Sequence, residues 1–263
     1  MWVPAAVVLL ALPNAPQKRR SWKLFGLGLA IMAFRYGALW NVNYLLARFV
    51  PATLFHDPEL RSFDVWFYSL IAGKTVGYTG LFPLVHSTVL IHLLENSYLV
   101  LFSEVVLVLL IKVQSEGADE ASLFLIRLFS LYAIGAACFL IYPAIGPCLY
   151  YPESTDATRA LSSTLALTSG MLNDYRAAVS GGALKGYGYF IAVPSLHVLA
   201  TLFLQVCLLR YRTLSIIFLP INIMVILSTF FLGYHYLLDI VIAVIILGIA
   251  IAWTRRTQTK RLA

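Results

Sequence analysis

Apolar residues along this chain fall in long blocks with almost no charge inside them, and polar residues gather at the block ends. Six blocks approach the ~20 residues a helix needs to cross a bilayer. They are 24–48, 94–113, 122–142, 194–210, 214–234 and 237–253. Two stretches between the first and second blocks, 56–75 (HDPELRSFDVWFYSLIAGKT) and 81–94 (LFPLVHSTVLIHLL), mix apolar and polar positions. They are expected as interfacial or re-entrant helices. The short apolar run 3–12 fits a short span or an interfacial helix equally well. Its basic residues follow it, which is the reverse of a signal peptide. In the long connection 143–193, Leu161, Leu165, Leu172, Tyr175 and Val179 recur at helical spacing and predict a helix lying over the mouth of a bundle. The expected fold is all-α: a polytopic membrane bundle of six core transmembrane helices plus interfacial helices, forming one integral membrane domain over 1–263.

Composition agrees: 60% of the 263 residues are hydrophobic and 12% charged, against about a quarter charged in soluble domains. The net charge of +7 does not imply nucleic acid, because the basic residues cluster beside the spans. Lys18, Arg19, Arg20 and Lys23 precede the first span, Lys112 ends the second, and Arg210 and Arg212 lie between the fourth and fifth. Arg255, Arg256, Lys260 and Arg261 close the chain. Threading six spans puts all of these on one side, the cytoplasmic side by the positive-inside rule. The connection 143–193 then lies on the other side. Tyr142, Tyr150, Tyr151, Tyr187, Tyr189, Tyr234 and Tyr236 are expected there as an interfacial aromatic belt. Three cysteines without a CxxC pair give no disulfide framework.

The same threading brings two histidines to one depth on the non-cytoplasmic side. His197 follows Pro194 and Ser195 at the start of the fourth span, and His235 ends the fifth. A proline in the first turn places a helix start at Pro194. Helix starts present free amides and a positive dipole end, which suit phosphate. Ser195 adds a hydroxyl donor. Asp239, four residues after His235 in GYHYLLDIV, is spaced to accept a hydrogen bond from one ring nitrogen and leave the other as a base or nucleophile. This set suits phosphoryl transfer: His235 attacks phosphorus, His197 protonates the departing oxygen, and Asp239 orients His235.

PSLH (194–197) with STFFLGYHYLLD (228–239) resembles the second and third signature motifs of the type 2 phosphatidic acid phosphatase superfamily, P-S-x-H and S-R-x5-H-x3-D, carried on a six-helix membrane core. Ser228, His235 and Asp239 fall at the matching positions. The likeness covers the last four spans, so the catalytic core is expected at about 122–253, with residues 1–93 supplying the N-terminal span and interfacial helices. It implies metal-independent chemistry without a cofactor on a phospholipid or polyprenyl-phosphate substrate. Water or a lipid alcohol would be the acceptor.

Two features depart from the family pattern. Thr229 stands where the third motif has arginine, and K-x6-R-P is missing; YPAIGPCLYY (142–151) ends the third span instead. The pattern is similar to the inositol phosphorylceramide synthase-like branch, whose members transfer head groups between lipids. A phosphodiester carries less charge than a monoester and needs fewer cationic clamps. Lys185, Arg176 and Arg159 on the long connection are candidate replacements, Lys185 foremost because it precedes the motif. Gly146 and Pro147 either shape a pocket floor or simply stop a helix.

Taken singly, each histidine reads as readily as a packed polar residue. His86 and His92 belong to no motif, and His56 beside Asp57 reads as loop surface. Arg35 and Glu104 fall mid-span and are expected to pair or to face a polar cavity; Glu95 and Asn96 fit the lining of a head-group pocket or the polarity of a helix end equally well. Other classes stay open: a bis-histidine haem protein, or a non-enzymatic lipid transporter that kept the fold.

Overall fold

The computed structural model describes residues 26, 28–29, 48–72, 88–151, 164–183, 185 and 192–262. Among these every regular element is helical. After a 3₁₀ turn at Ala52–Leu54, the helices are α1 (Asp57–Ala72), α2 (Thr88–Ile111), α3 (Ala118–Ile141), the single turn α4 (Pro147–Tyr150), α5 (Thr164–Ser180), α6 (Leu196–Leu208), α7 (Arg212–Phe231) and α8 (Leu237–Leu262).

Among the described residues, four helices are long and apolar enough to cross a membrane: α2 with its C-terminal extension to Glu116, α3, α7 and α8. Their outward positions are large and bare, among them Phe102, Ile126, Ile141, Ile216 and Ile249. Water would penalise such a surface and lipid would not, so this is an integral membrane protein. Four of the six expected spans are met as such among the described residues. The first, 24–48, lies outside the described residues except at Gly26, Gly28, Leu29 and Arg48. The fourth is α6, only 13 residues long. It is short because it is central: it packs against α2, α3, α7 and α8. Its side chains Val198, Leu199, Ala200, Thr201, Phe203, Leu204 and Leu208 are buried. A helix wrapped by protein need not match the bilayer thickness. Gly135 of α3 gives it room, since a Cβ there would run into the Leu196 side chain.

The two mixed stretches resolve differently. The first is α1, 16 residues, about 24 Å at ~1.5 Å per residue, too short to span. Its polarity is inverted relative to a soluble helix. Asp57, Leu60 and Asp64 are inside at 0% exposure, whereas Trp66, Leu70 and Ile71 are exposed. The second is no separate helix where it is described: from Thr88 on it is the start of α2, which begins six residues ahead of the expected span. Glu95 and Asn96 read as a helix end in sequence, but Asn96 and Ser97 turn their side chains back onto the carbonyls of His92 and Leu93, so the helix runs through them. The connection helix is α5. Its buried stripe is Met171, Asp174 and Ala178, one position earlier than the expected Leu172, Tyr175 and Val179. Leu172 and Tyr175 are half-buried and Val179 exposed; Leu161 lies outside the described residues.

Polar side chains tie the spans together. In the bundle interior the Asn222 amide donates to Glu104 (3.0 Å) and Gln205 (2.8 Å), and Gln205 donates to the Ser215 hydroxyl (2.8 Å). Glu104 therefore meets an amide; Arg35, its other expected partner, lies outside the described residues. At one end of the bundle Glu116 accepts from Lys112 (2.9 Å) and from the Tyr211 hydroxyl (2.5 Å), with Arg210 at 3.3 Å. These positions were expected on one side, and the structure brings them together.

Candidate active site

At the opposite end of the bundle, four backbone segments interlock. His56 N–H donates to the Pro143 carbonyl (2.9 Å), Ala192 N–H to Ala144 (2.9 Å), and Cys148 N–H to Gly233 (2.8 Å). Ser195 N–H donates to the Asp239 carbonyl (3.3 Å), and the amides of Tyr234 and His235 both donate to Thr229 (3.1 and 2.9 Å). The loop 142–147 therefore lies between the segment before α6 and the turn before α8. Gly146 is essential to that fit. Its φ is +90° and a Cβ would strike the Tyr234 carbonyl oxygen. Pro147 then opens the α4 turn at its first helical position. Both residues shape the loop beneath the histidine turn.

Ser195 is the N-cap of α6, its hydroxyl oxygen accepting from Val198 N–H (3.3 Å). Pro194 thus lies one residue outside the cap rather than inside the first turn. The effect on chemistry is the same: the amides of Leu196 and His197 precede the first helical hydrogen bond and stand at the positive end of the helix. His197 is half-buried and stacks on Tyr98 of α2, with centroids 4.1 Å apart. The Tyr98 hydroxyl lies 3.3 Å from its Nδ1. Tyr98 in turn lies 4.7 Å from the Tyr234 ring.

His235 is 5% exposed and sits in the turn ahead of α8, not on the helix. Its Nδ1 is 2.9 Å from the Ala192 carbonyl oxygen and 3.4 Å from Asp239 Oδ2. A carbonyl only accepts, so Nδ1 carries the proton and Nε2 holds the lone pair. The orienting group is therefore mainly a backbone carbonyl, with Asp239 a second and longer partner. Asp239 Oδ2 also accepts from Tyr236 N–H (2.9 Å), the reach-back half of a capping arrangement that fixes the start of α8. The two histidine rings face each other with centroids 6.4 Å apart.

Ser228 is buried, but its hydroxyl donates to the Val225 carbonyl one turn back (2.6 Å), and Thr229 does the same to Ile226 (2.7 Å). Lys185 and Arg176 are not brought to the histidines. Both side chains are exposed, and what holds the Lys185 segment is its backbone N–H donating to Asp174 (2.8 Å). Arg159 lies outside the described residues, as do Tyr187, Tyr189 and His86. Tyr234 and Tyr236 do not belong to an aromatic belt: they are 6% and 0% exposed, packed into the site itself.

The sequence pointed to none of the side chains that α1 and α2 contribute. Asp57 accepts from Ile145 N–H (3.0 Å), Gly146 N–H (2.9 Å) and the Tyr236 hydroxyl (2.9 Å). Asp64 accepts from Leu237 N–H (3.1 Å). Burial lifts Asp57 to about 6 and Asp64 to about 8. His56, expected as bare surface, stacks on Tyr142 at 3.9 Å. Arg61, one turn beyond Asp57, lies 4.3 Å over the Tyr151 ring. Among the described residues no set of three or more His, Cys, Asp or Glu is arranged to hold a metal.

An all-helical membrane protein with two histidines meeting at one end of the bundle defines a narrow class. The model of the PAP2 superfamily matches residues 46–253, and the chain belongs to that superfamily. No curated protein and no solved structure matches it. Membership carries phosphatase or phosphotransferase activity in a membrane as the general expectation. The match starts at residue 46 and so takes in α1 and α2, beyond the four spans that hold the motifs.

Proposed function

We propose that the protein moves or removes a phosphate-linked lipid head group through a phosphohistidine on His235. The observation that carries this is the Nδ1 contact to the Ala192 carbonyl, which leaves Nε2 of a nearly buried imidazole as a free lone pair. His235 Nε2 attacks phosphorus, the bond to the leaving lipid oxygen breaks, and His197 gives that oxygen its proton. Asp239 and the Ala192 carbonyl stabilise the charged His235 ring. Water or a lipid alcohol, deprotonated by His197, then cleaves the P–N bond and restores His235. The amides at the positive end of α6, with Ser195, hold the phosphate oxygens. Ser228 lies behind the site, and Lys185 and Arg176 are reserved for the head group of a bound lipid.

The substrates are a phospholipid or polyprenyl phosphate and, for transfer, a lipid alcohol. The likeness of PSLH and HYLLD to the inositol phosphorylceramide synthase-like branch favours transfer; hydrolysis alone is the second reading. The site opens on the non-cytoplasmic face, because Lys112, Arg210 and Arg212 gather at the other end.

The test is turnover of a lipid panel by the purified protein and by His235→Ala, with and without an alcohol-bearing lipid, read by mass spectrometry. A new head-grouped lipid, reduced at least about 1000-fold in the variant, is the expected result for a transferase. Acceptor-independent release of phosphate or lipid alcohol identifies a phosphatase. Equal products from both proteins would overturn the reading. A Soret band in the pure protein would instead support a haem site.

A further inference from the structure

Helix α1 lies far from both histidine motifs in the chain, yet it grips the segments that carry the site. Asp57 and Asp64 are two turns apart on one face, and neither is exposed. A carboxylate in the first turn of a helix usually serves its own helix dipole. All three Asp57 partners named above belong instead to other segments, 88, 89 and 179 residues away. Two are adjacent amides of the loop beneath the histidine turn. The third is the hydroxyl of the residue immediately after His235. Asp64 takes the next amide, Leu237. The His235 turn is therefore held from two sides, its ring by the Ala192 carbonyl and its following residues by α1.

We propose that Asp57 is a positioning residue, which sets the His235 turn against the 142–147 loop and so fixes where a phosphate meets Nε2. This rests on the phosphohistidine reading above. The chemistry of the clamp calls for a carboxylate. Three donors converge on two oxygens, and a carboxylate can accept all three. Asparagine has the same shape but one acceptor oxygen; its NH₂ would face at least one donor N–H or O–H. Leaving such a buried donor unmade costs its full desolvation, enough to shift loops that carry a reacting group.

The test uses the full chain in lipid nanodiscs, with orthovanadate as the phosphate probe. Wild type, Asp57→Asn, Tyr236→Phe, the double variant and Glu116→Gln are compared. Glu116, at the opposite end of the bundle, serves as a control for general destabilisation. Vanadate affinity, hydrogen exchange of peptides covering 143–148 and 233–237, and melting temperature are measured. Asp57→Asn is expected to weaken vanadate by about tenfold and to speed exchange in both peptides. Tyr236→Phe should do so less, and the double variant should be no worse than Asp57→Asn, because both act through one contact. Glu116→Gln should lower the melting temperature with vanadate affinity within about twofold. Two results overturn the proposal: Asp57→Asn with wild-type vanadate affinity and exchange, or a vanadate loss that Glu116→Gln matches at equal melting temperature. If wild type itself binds no vanadate, the phosphohistidine reading falls, and the clamp stands or falls on the exchange data alone.

Discussion

The two ends of the bundle treat their carboxylates in opposite ways. At one end Glu116 is surrounded by cations and a phenol: Lys112, Arg210 and Tyr211. Arg210 is 71% exposed, so water shares in the neutralisation. At the other end Asp57, Asp64 and Asp239 have no exposure, and the partners they take are backbone amides, a phenol and an imidazole. An ion pair between flexible side chains anchors an end but does little to set loop geometry. A buried carboxylate accepting from amides dictates where those amides sit, because an unmade bond there is costly. The first arrangement suits a helix terminus; the second builds a rigid frame around the His235 turn.

Replacing Gly146 should break that contrast most severely. Gly146→Ala adds a Cβ against the Tyr234 carbonyl at a φ of +90°, with strain of about 1–3 kcal/mol and displacement of the His235 turn. Turnover should fall at least about 100-fold, with a lower melting temperature, whereas Gly117→Ala at the basic end, also at positive φ but with open space around it, should lose stability alone. A smaller effect is expected from Tyr98→Phe, which removes the hydroxyl 3.3 Å from His197 Nδ1 and keeps the stacked ring. Here kcat should drop about 3- to 10-fold, with KM nearly constant and an altered pH profile. An unchanged profile would reduce Tyr98 to packing.

The smallest effect separates activity from stability by pH. Asp57 has its value raised by burial from 3.8 to about 6. The folded chain therefore holds an extra proton between pH about 4 and about 6, and this group favours folding more as the pH falls through that window. The clamp behaves oppositely, because only the ionised form accepts all three donors. Activity should decline below pH about 6 without a matching loss of stability from Asp57, and Asp57→Asn should lack that component of the acid limb. Rate and melting curves across pH 4–8 check it.

Much of the site was legible in the chain. PSLH and H-Y-L-L-D carry His197, His235 and Asp239, and the structure brings all three together. Apolar blocks located α3, α7 and α8 to within a few residues, except that α8 runs on well past the expected end at 253. The misreadings share a cause. α2 starts early because polar side chains in a membrane helix bond back to their own carbonyls, which block hydropathy reads as an end. For α1 the mixed pattern of carboxylates and aromatics did not say which of them face protein. The α5 stripe was displaced by one position because Asp174, a polar residue, is among its buried members.

The sequence by itself determined that this chain lies in a membrane as helices, and which residue types could do phosphoryl chemistry at one depth. Those are local properties: transfer free energy along a run, and spacing along a helix. Tertiary structure alone decided which nitrogen of His235 is free, since that depends on a carbonyl 43 residues away. It also decided that α1 holds the site, through bonds spanning up to 179 residues. Backbone carbonyls and amides are the same at every position in a sequence. Only the fold makes particular ones the partners of the His235 ring or of a buried carboxylate.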